Sequence, residues 1–482
     1  MSHEELAALT GASDNVIETV KRSLTLLGAK NVRTAPSREY VLAEFTSEVA
    51  DVFIKHHGHP HASRIATAKL RQLKRAAPVN SWTTALFPQV EYVTEMTEEL
   101  KHEVAKTVTT EASYKKTKIG SRLFQFGQLG DPNSQKQSYG MPTNLKVQTQ
   151  NNTQAVWGPG TFGVSSSDLS NFYYQYSIPA QTKNVITLWH QGQEGGDNFG
   201  EGTLDATYIS SMGVGATTYV INSNTSMSTE EGPGFGYALE NFMLLSMAQA
   251  KEIPFVLSMS LGSLSWDSCN KMCELGAATG GVSFSDCMQY VQYTQRQVCM
   301  MDTAAQTERI NREFMKIGLR GTTLLAATGD GGSHYSFQPF PSSDRIGAIL
   351  NEVCCTYNFP TFPAASPYVL GVGGTQWNGA PSPAQPIAWS ASGSGFSWRF
   401  PRPAYQDAAV SAYLKANQNS NGFPGSKYFN ISNRAYPDVA ALANNVPMWL
   451  GGFPTVTGGT SASTPAFAGI VTMLNDARFQ KN

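Results

Sequence analysis

Residues 458–465 read Gly458-Gly459-Thr460-Ser461-Ala462-Ser463-Thr464-Pro465, and this stretch determines how the rest of the chain is interpreted. The glycines let the backbone turn tightly, and Pro465 suits the first turn of a helix, where a missing N–H is tolerated. The apolar residues that follow, to about Met473, predict a buried helix with Ser461 at its positive end. Such a serine is either a nucleophile, beside backbone N–H groups that stabilise developing negative charge, or an ordinary helix cap.

Length and charge restrict the classes of protein to consider. A chain of 482 residues is too long for one ordinary core, so we expect a large domain and a smaller one. The net charge of -1 gives no excess of positive charge for nucleic acid or an anionic membrane surface. No apolar run reaches the roughly 18 residues of a membrane span, and the amino terminus lacks a secretory signal pattern. We therefore predict neither a nucleic-acid partner nor a membrane span.

The cysteines indicate the redox environment. Four of the 6 cysteines lie within one stretch, at Cys269, Cys273, Cys287 and Cys299. They could bind zinc, but their spacing lacks the usual CxxC pairs, so we predict two disulfides and leave their connectivity open. Glycosylation sequons begin at Asn151, Asn224 and Asn430 and also agree with a secretory compartment.

Residues 1 to about 108 differ from the rest of the chain, with more charge, few glycines and a helical pattern that ends at Gly28. Further predicted elements are a strand at 40–45, a helix that starts at 47–53 and a strand at 90–93. The histidines between 56 and 61 could bind a metal. A glycine and a proline among them break any fixed ligand geometry, so we predict a solvated loop instead.

The remainder divides into a linker and a larger domain. Residues from about 109 to 154 are polar and aperiodic, which predicts an exposed linker with a processing site. Beyond it, strand-like runs alternate with helical segments, as in a parallel sheet with helices on both faces. The predicted strands are 184–188, 217–221, 255–259, 323–327 and 368–372. The predicted helices are 201–212, 236–252 and 304–317. Ligands should bind at the carboxyl ends of these strands.

Carboxylate side chains occur in stretches that are predicted to lie at the carboxyl ends of the strands. Glu201 and Asp205 are four residues apart and share one face of a predicted helix. A surface helix could carry this pair without any function. Asp330, in contrast, lies in a Gly-Asp-Gly-Gly turn directly after a buried strand, where catalytic groups are typically found.

Histidines suited to a catalytic base are scarce in the larger domain. A Ser-His-Asp peptidase needs an imidazole beside its serine, and only His190 and His334 follow the linker, neither in a suitable sequence setting. A carboxylate base is weak at neutral pH but still titrates in acid. The sequence therefore favours a serine peptidase that acts in acid.

The chain resembles the sedolisin, or serine-carboxyl peptidase, family over nearly its whole length, and within it the tripeptidyl-peptidase branch. The matching motifs are Glu-x-x-Leu-Asp at Glu201 to Asp205, Gly-Asp-Gly at Asp330, and Gly-Thr-Ser-Ala-Ser-Thr-Pro around Ser461. Supporting matches lie at 362–369, 372–375, 395–397, 400–403 and 434–440. The chain departs from the family pattern at Gly458, where a serine is usual, and at Leu261, where an aromatic residue is usual.

The resemblance implies an α/β catalytic domain with a subtilisin-like parallel sheet at 155–482, after the linker at 109–154. It also implies a small α+β, ferredoxin-like activation prodomain at 1–108 that lacks its first strand. By motif, Ser461 is the nucleophile, Glu201 the general base, Asp205 the group that orients Glu201, and Asp330 the stabiliser of the oxyanion.

The resemblance also implies partners and conditions. These are peptide or protein substrates, the chain's own prodomain as an intramolecular inhibitor, and a lysosome or other acidic or extracellular compartment. Calcium is expected, with its ligand loop beyond Asn482. Release of N-terminal tripeptides is the favoured activity; the alternatives are an acid endopeptidase and a truncated, inactive peptide-binding homologue.

Overall fold

The structure is a computed structural model, and it describes the chain in several segments. These are residues 1–46, 106–108, 130–159, 162–178, 186–189, 193–194, 199–222, 239, 242–248, 250, 252–293, 299, 303–334, 340, 343–378, 386–417, 419–420 and 423–481. The predicted elements at 47–53 and 90–93, the histidine-rich stretch, His190 and the first part of the linker lie outside them.

A 9-stranded sheet forms the centre of the described structure. Its edge strands Lys106–Val108 and Pro386–Ala388 are antiparallel to their neighbours. The other strands are parallel, in the spatial order Ile186–Trp189, Thr217–Asn222, Thr153–Gly158, Val256–Met259, Thr323–Ala327, Leu370–Trp377 and Val439–Leu442. The predicted α/β class with a parallel sheet is confirmed.

The chain changes sides within the sheet at Thr153–Gly158, the first of the described parallel strands in the sequence. Both neighbours of this strand, Thr217–Asn222 and Val256–Met259, come later in the chain. Between these two neighbours the chain crosses from one side of Thr153–Gly158 to the other. Ligand sites in α/β folds typically form at such a point, outside the carboxyl ends of the strands.

Helices and short strand pairs complete the described part of the larger domain. The helices are Pro132–Ser138, Ser166–Gln175, Phe199–Met212, Trp266–Ala278, Phe284–Tyr293, Ala304–Leu319, Arg345–Thr356, Asp407–Asn417 and Thr460–Phe479, with short turns at Phe242–Met247, Ala404–Gln406 and Ser426–Tyr428. The strand pairs are Gly163–Val164 with Gln193–Glu194, Ser263–Leu264 with Thr361–Phe362, Gly395–Pro401 with Asn433–Tyr436, and Val446–Leu450 with Phe453–Thr457.

Two helices that carry predicted site residues pack directly on each other. We call Thr460–Phe479 the serine helix and Phe199–Met212 the carboxylate helix. Gly469 makes their close approach possible, because a Cβ atom there would lie 2.6 Å from both the Gly213 nitrogen and the Met212 Cβ. Contacts of this length require the backbone to move, so a residue larger than glycine would separate the helices.

The serine helix begins earlier than predicted. Its first residue is Thr460, so Pro465 lies inside the helix rather than at its first position. The start at Thr460 is possible because Asp330, from another loop, accepts the Thr460 N–H and so supplies the cap. The predicted burial of this helix is correct, since Ala462, Ala466 and Ala468 are inaccessible to solvent.

Part of the predicted linker is folded. Residues 130–152 include a helix, and the backbone N–H of Val147 donates to the Val214 carbonyl at 2.8 Å. Asn152 is inaccessible and donates from Nδ2 to Thr472 O at 2.8 Å. These residues are therefore partly folded onto the larger domain, while others among them, such as Lys146 and Gln150, are exposed. The polarity of Asn152 reflects a specific hydrogen bond to the larger domain, which composition cannot distinguish from solvation.

The amino-terminal segment contains more regular structure than predicted. The predicted helix and strand are present as Asp14–Leu26 and Val41–Glu44, and Gly28 has a positive φ of 87° just after the helix. The helix His3–Thr10 and the strand Lys30–Thr34, which pairs with Val41–Glu44, were not predicted.

This amino-terminal segment contacts the larger domain through polar groups. Lys316 forms ion pairs with Glu39 and with Glu313, the latter at 2.8 Å. The His3 ring Nε2 lies 2.9 Å from the Ala248 carbonyl oxygen. Burial raises the pKa of Glu313 to about 7, although the Lys316 charge opposes this shift.

The cysteine prediction is confirmed. Cys269 bonds to Cys299, and Cys273 bonds to Cys287. Cys354 is a buried free thiol, and Cys355 is exposed. Across the described residues, no helix has both the length and the apolar character needed to cross a membrane.

Candidate active site

The predicted site residues lie on three elements that meet at the carboxyl edge of the sheet. Ser461 is the second residue of the serine helix, and Glu201 and Asp205 lie on the carboxylate helix. Asp330 follows the strand Thr323–Ala327. The hydrogen bonds among these elements bring all of these side chains into one neighbourhood.

Ser461 lies at the beginning of a buried helix without being its cap. The N-cap is Gly459, so the alternative interpretation of Ser461 as an ordinary cap is wrong. The Ser461 hydroxyl donates to the Ser260 carbonyl oxygen at 3.3 Å. The Ser461 hydroxyl also lowers the pKa of the Glu201 carboxyl, which reflects the proximity of the two groups. A carboxylate within hydrogen-bond reach of a serine hydroxyl is the arrangement that a general base requires.

Glu201 is a carboxyl group with a raised pKa. Burial is the main cause, the hydrogen bond with Ser461 opposes it, and the negative charge of Asp330 adds to it. Its Oε1 atom is buried and has no hydrogen-bond partner within the described parts of the chain. The protein therefore favours the protonated form of Glu201 more than water does.

Asp205 lies one helical turn further on and is completely buried, at 0% exposure. Its Oδ1 accepts a hydrogen bond from Ser260 Oγ at 2.7 Å. Burial raises the pKa of Asp205 well above its usual range, and the charge of Glu201 raises it further. The alternative of a harmless surface pair is wrong, because the helix that carries both carboxyls is buried. Close carboxyls of this kind titrate as a pair.

Asp330 is exposed and joins its loop to the serine helix. Its Oδ1 accepts from the Thr460 backbone nitrogen at 2.7 Å and from the Thr460 hydroxyl at 2.9 Å. Gly459 allows this contact, since its φ is 154° and a Cβ atom there would lie 3.0 Å from Asp330 Oδ2. The second carboxyl oxygen thus lies beside the backbone that leads into Ser461.

Ser260 belongs to the same cluster, and sequence reasoning missed it. It follows the strand Val256–Met259, and its side chain and carbonyl contact Asp205 and Ser461 respectively. The available signal was its position at the carboxyl end of a predicted strand. That signal was used for Asp330 but not for Ser260, because a serine at a strand end is common and carries no charge.

A hairpin forms one side of the site. Leu450, at the end of the strand Val446–Leu450, comes within 3.4 Å of the position that a Cβ atom of Gly200 would occupy, next to Glu201. The turn of the hairpin is fixed by Asp168, which accepts hydrogen bonds from Gly451 N at 2.8 Å and Gly452 N at 2.7 Å. A buried carboxylate thus holds a loop that borders the predicted base.

Calcium was expected from the family resemblance alone, with its ligands beyond Asn482. Within the described residues, no group of three or more histidine, cysteine, aspartate or glutamate side chains could hold a metal ion. The expected calcium therefore stays a prediction, and none of the chemistry below depends on it.

The chain is similar in sequence to Tripeptidyl-peptidase 1 from several mammals. No family model matches the chain. The chain is 29% identical to Tripeptidyl-peptidase 1 of Mus musculus over 490 residues, which is 98% of this chain and 73% of the relative. It is 33% identical to Tripeptidyl-peptidase 1 of Homo sapiens over 345 residues, 68% of this chain and 48% of the relative. One similar solved structure is a Pseudomonas sedolisin (serine-carboxyl proteinase) in complex with two molecules of pseudo-iodotyrostatin. It aligns with a TM-score of 0.47 and 20% identity, and the alignment covers 73% of this chain and 83% of that chain.

Proposed function

Because the chain belongs to the sedolisin, or serine-carboxyl peptidase, family together with Tripeptidyl-peptidase 1, we propose that Ser461 is the nucleophile with which it hydrolyses peptide bonds. The observation that carries this proposal is the position of Ser461 at the beginning of a buried helix, close enough to Glu201 for its hydroxyl to lower the pKa of that carboxyl. Serine needs a base within reach to become a nucleophile, and Glu201 is that base.

In the first half of the reaction, Ser461 Oγ attacks the carbonyl carbon of the peptide bond while its proton passes to Glu201. The carbonyl oxygen becomes an oxyanion in the tetrahedral intermediate. When the intermediate collapses, the C–N bond breaks and the proton on Glu201 passes to the leaving amine. In the second half, Glu201 takes a proton from water, the water oxygen attacks the acyl-enzyme, and Ser461 is released with its proton restored.

Asp205 and Asp330 have different tasks in this scheme. Asp205 lies one turn from Glu201 on the same helix face and orients it. Asp330 lies beside the helix N-terminus and donates a hydrogen bond to the oxyanion, which requires it to carry a proton. The reaction therefore needs acid.

Release of N-terminal tripeptides is the favoured specificity, supported by the similarity to Tripeptidyl-peptidase 1 along 98% of the chain. The alternative within the same family is an acid endopeptidase. A second alternative is a homologue that binds peptides without cleaving them. Inhibition by residues 1–108 as a prodomain and a lysosomal or other acidic compartment belong to the same proposal.

Two fluorogenic substrates separate these possibilities. One is a tripeptide with a free amino group joined to a fluorogenic amine, and the other is an internally quenched peptide with a blocked amino terminus. Cleavage of the first alone supports tripeptide release, cleavage of the second indicates an endopeptidase, and cleavage of neither, with no labelling by an active-site serine probe, overturns the peptidase assignment. All assays use the full chain after incubation in acid.

Ser461→Ala should abolish both cleavage and labelling. Ser463→Ala is a matched control, because Ser463 is on the same helix two residues later, is buried, and donates to the Thr460 carbonyl at 3.0 Å. Full activity in Ser461→Ala would overturn the proposal.

A further inference from the structure

The hydroxyl of Ser260 makes the shortest described contact to Asp205. Ser260 is 6% exposed and follows the strand Val256–Met259 at the carboxyl edge of the sheet. Its Oγ donates to Asp205 Oδ1 at 2.7 Å. This distance is normal for a hydroxyl bonded to a carboxylate, and such bonds are stronger than those between neutral groups.

Asp205 depends on this contact. Its other oxygen, Oδ2, is buried and has no hydrogen-bond partner in the described segments of the chain. The Ser260 hydroxyl is therefore the one described donor to this carboxyl. An ionised carboxylate that is completely buried needs donors, because burial without hydrogen bonds strongly disfavours its charged form.

Because of Pro465, the hydroxyl of Ser260 has a second acceptor within reach, the carbonyl oxygen of Ser461. In an α-helix, the carbonyl of Ser461 would accept the N–H of residue 465, but proline has no N–H to donate. Ser260 Oγ lies 3.4 Å from this free carbonyl oxygen. A hydroxyl has one proton, so Ser260 donates to one of the two acceptors at a time, and the shorter contact to Asp205 is preferred.

The backbone of Ser260 contacts the other half of the site. Its carbonyl oxygen accepts the Ser461 hydroxyl at 3.3 Å, in competition with Glu201. One residue therefore touches the buried carboxyl through its side chain and the predicted nucleophile through its carbonyl. Sites in which one residue contacts several catalytic groups rely on that residue for their geometry.

We propose that Ser260 is a positioning residue of this peptidase, whose hydroxyl keeps the Asp205 carboxyl oriented so that Asp205 can support Glu201. This inference rests on the proposed function. Without the hydroxyl, the pKa of Asp205 rises further, because the charged form loses the hydrogen bond that opposes burial. The other titratable groups that face this pair are Glu201 itself and Asp330, which raises the pKa of Glu201.

The test is the pH dependence of kcat in Ser260→Ala, measured between about pH 3 and 7, the range in which carboxyls with normal or raised pKa values titrate. We expect kcat to fall roughly 10- to 100-fold, as for loss of a group that orients a catalytic residue. The acidic limb of the profile should move to higher pH, and KM should change little. A merely structural role would lower kcat evenly across the pH range.

Conservative variants and a matched control complete the experiment. Ser260→Thr keeps the hydroxyl, so the acidic limb of its pH profile should lie at the same pH as in the unmodified chain. Cysteine is a weaker donor, so the acidic limb of Ser260→Cys should lie between those of the unmodified chain and Ser260→Ala. Ser258→Ala is the control. Ser258 is completely buried two residues earlier on the same strand and has a hydroxyl without a hydrogen-bond partner in the described structure. Its loss should leave the profile unchanged.

Several outcomes would overturn the inference. The inference is overturned if the acidic limb of the pH profile does not move in Ser260→Ala. It is also overturned if Ser260→Thr has the same profile as Ser260→Ala, or if Ser258→Ala shows the same shift as Ser260→Ala. If Ser260→Ala does not fold, as judged by its thermal unfolding curve, the Ser260→Thr and Ser260→Cys profiles decide. Failure of the proposed function is a separate result, because it appears as full activity in Ser461→Ala.

Discussion

Asp330 accepts two hydrogen bonds from Thr460, the residue directly before Ser461, through the backbone nitrogen at 2.7 Å and the hydroxyl at 2.9 Å. Both reach the same oxygen, Oδ1. The other oxygen, Oδ2, lies next to Gly459. One carboxyl therefore caps the serine helix with one oxygen, and the second oxygen remains for the proton that the proposed mechanism requires.

The first prediction separates these two tasks of Asp330. Asp330→Asn keeps an acceptor for Thr460 and gains a permanent N–H donor, so it should retain stability and more activity than Asp330→Ala. Asp330→Ala loses the cap, which typically costs about 1 kcal/mol of the free energy of unfolding. Thermal unfolding and kcat of both variants check this. Equal losses of activity in the two variants would contradict the donor role.

The second prediction concerns the unit formed by Ser461, Glu201 and Asp205. Alanine at each position should reduce kcat by on the order of a thousandfold or more, and double variants should lose little beyond the single ones. The physical reason is that a base without its nucleophile, or a nucleophile without its base, contributes nothing. Kinetics of the single and double variants measure this. Multiplicative losses would show that the residues act independently.

The third prediction is the shape of the pH–activity profile. Activity should peak in acid, at roughly pH 3 to 5, the range in which carboxyl groups titrate. Burial raises the pKa of Glu201, which places the acidic limb above the position expected for an exposed glutamate. Asp330→Asn carries an N–H donor at every pH, so a comparison of its profile with that of the unmodified chain tests the donor role of Asp330. An optimum at pH 7 or above in the unmodified chain would argue against both roles.

The fourth prediction links the site to stability. Burial raises the pKa of Asp205 in the folded chain, so the folded state holds a proton that the unfolded state releases as pH rises. The free energy of unfolding should therefore fall as pH rises above the ordinary carboxyl range. Asp205→Asn does not titrate and can still accept from Ser260. We expect a higher melting temperature than that of the unmodified chain at pH 7, a smaller difference in acid, and little activity.

A control for this stability experiment is Asp168→Asn. Asp168 is also buried, but it receives hydrogen bonds from two backbone N–H groups, at Gly451 and Gly452. Replacement by asparagine weakens charge-assisted bonds and should lower the melting temperature at pH 7. If both variants shift in the same direction, burial of Asp205 is not the cause of its effect.

The sequence predicted which elements carry the candidate site residues better than it predicted the contacts between those elements. Strand patterns and motifs placed Glu201, Asp205, Asp330 and Ser461 on elements that the structure brings together, since parallel strands align their carboxyl ends. The cap from Asp330 to Thr460 and the contact from Ser260 to Asp205 join residues 130 and 55 positions apart in the chain. No local pattern encodes such contacts, because they depend on the final packing of distant elements.

The same limitation explains the errors in the fold. Pro465 was placed at a helix start because proline is favoured there, but a cap from a distant loop allowed the helix to begin at Thr460. Residues 130–152 were predicted as a linker because they are polar. Asn152 and its neighbours instead satisfy buried backbone groups of the larger domain.

Gly469 is a position away from the candidate site residues at which a substitution should abolish activity. It lies eight residues after Ser461 in the sequence, about 12 Å along the helix, and touches no reacting group. In most helices a change from glycine to alanine stabilises the helix by up to about 1 kcal/mol. Here the added methyl group would meet Met212 and Gly213 and push apart the two helices that carry Ser461 and Glu201. A carrier of Gly469→Ala would have every catalytic residue intact, and screening that inspects those residues alone would classify the allele as benign.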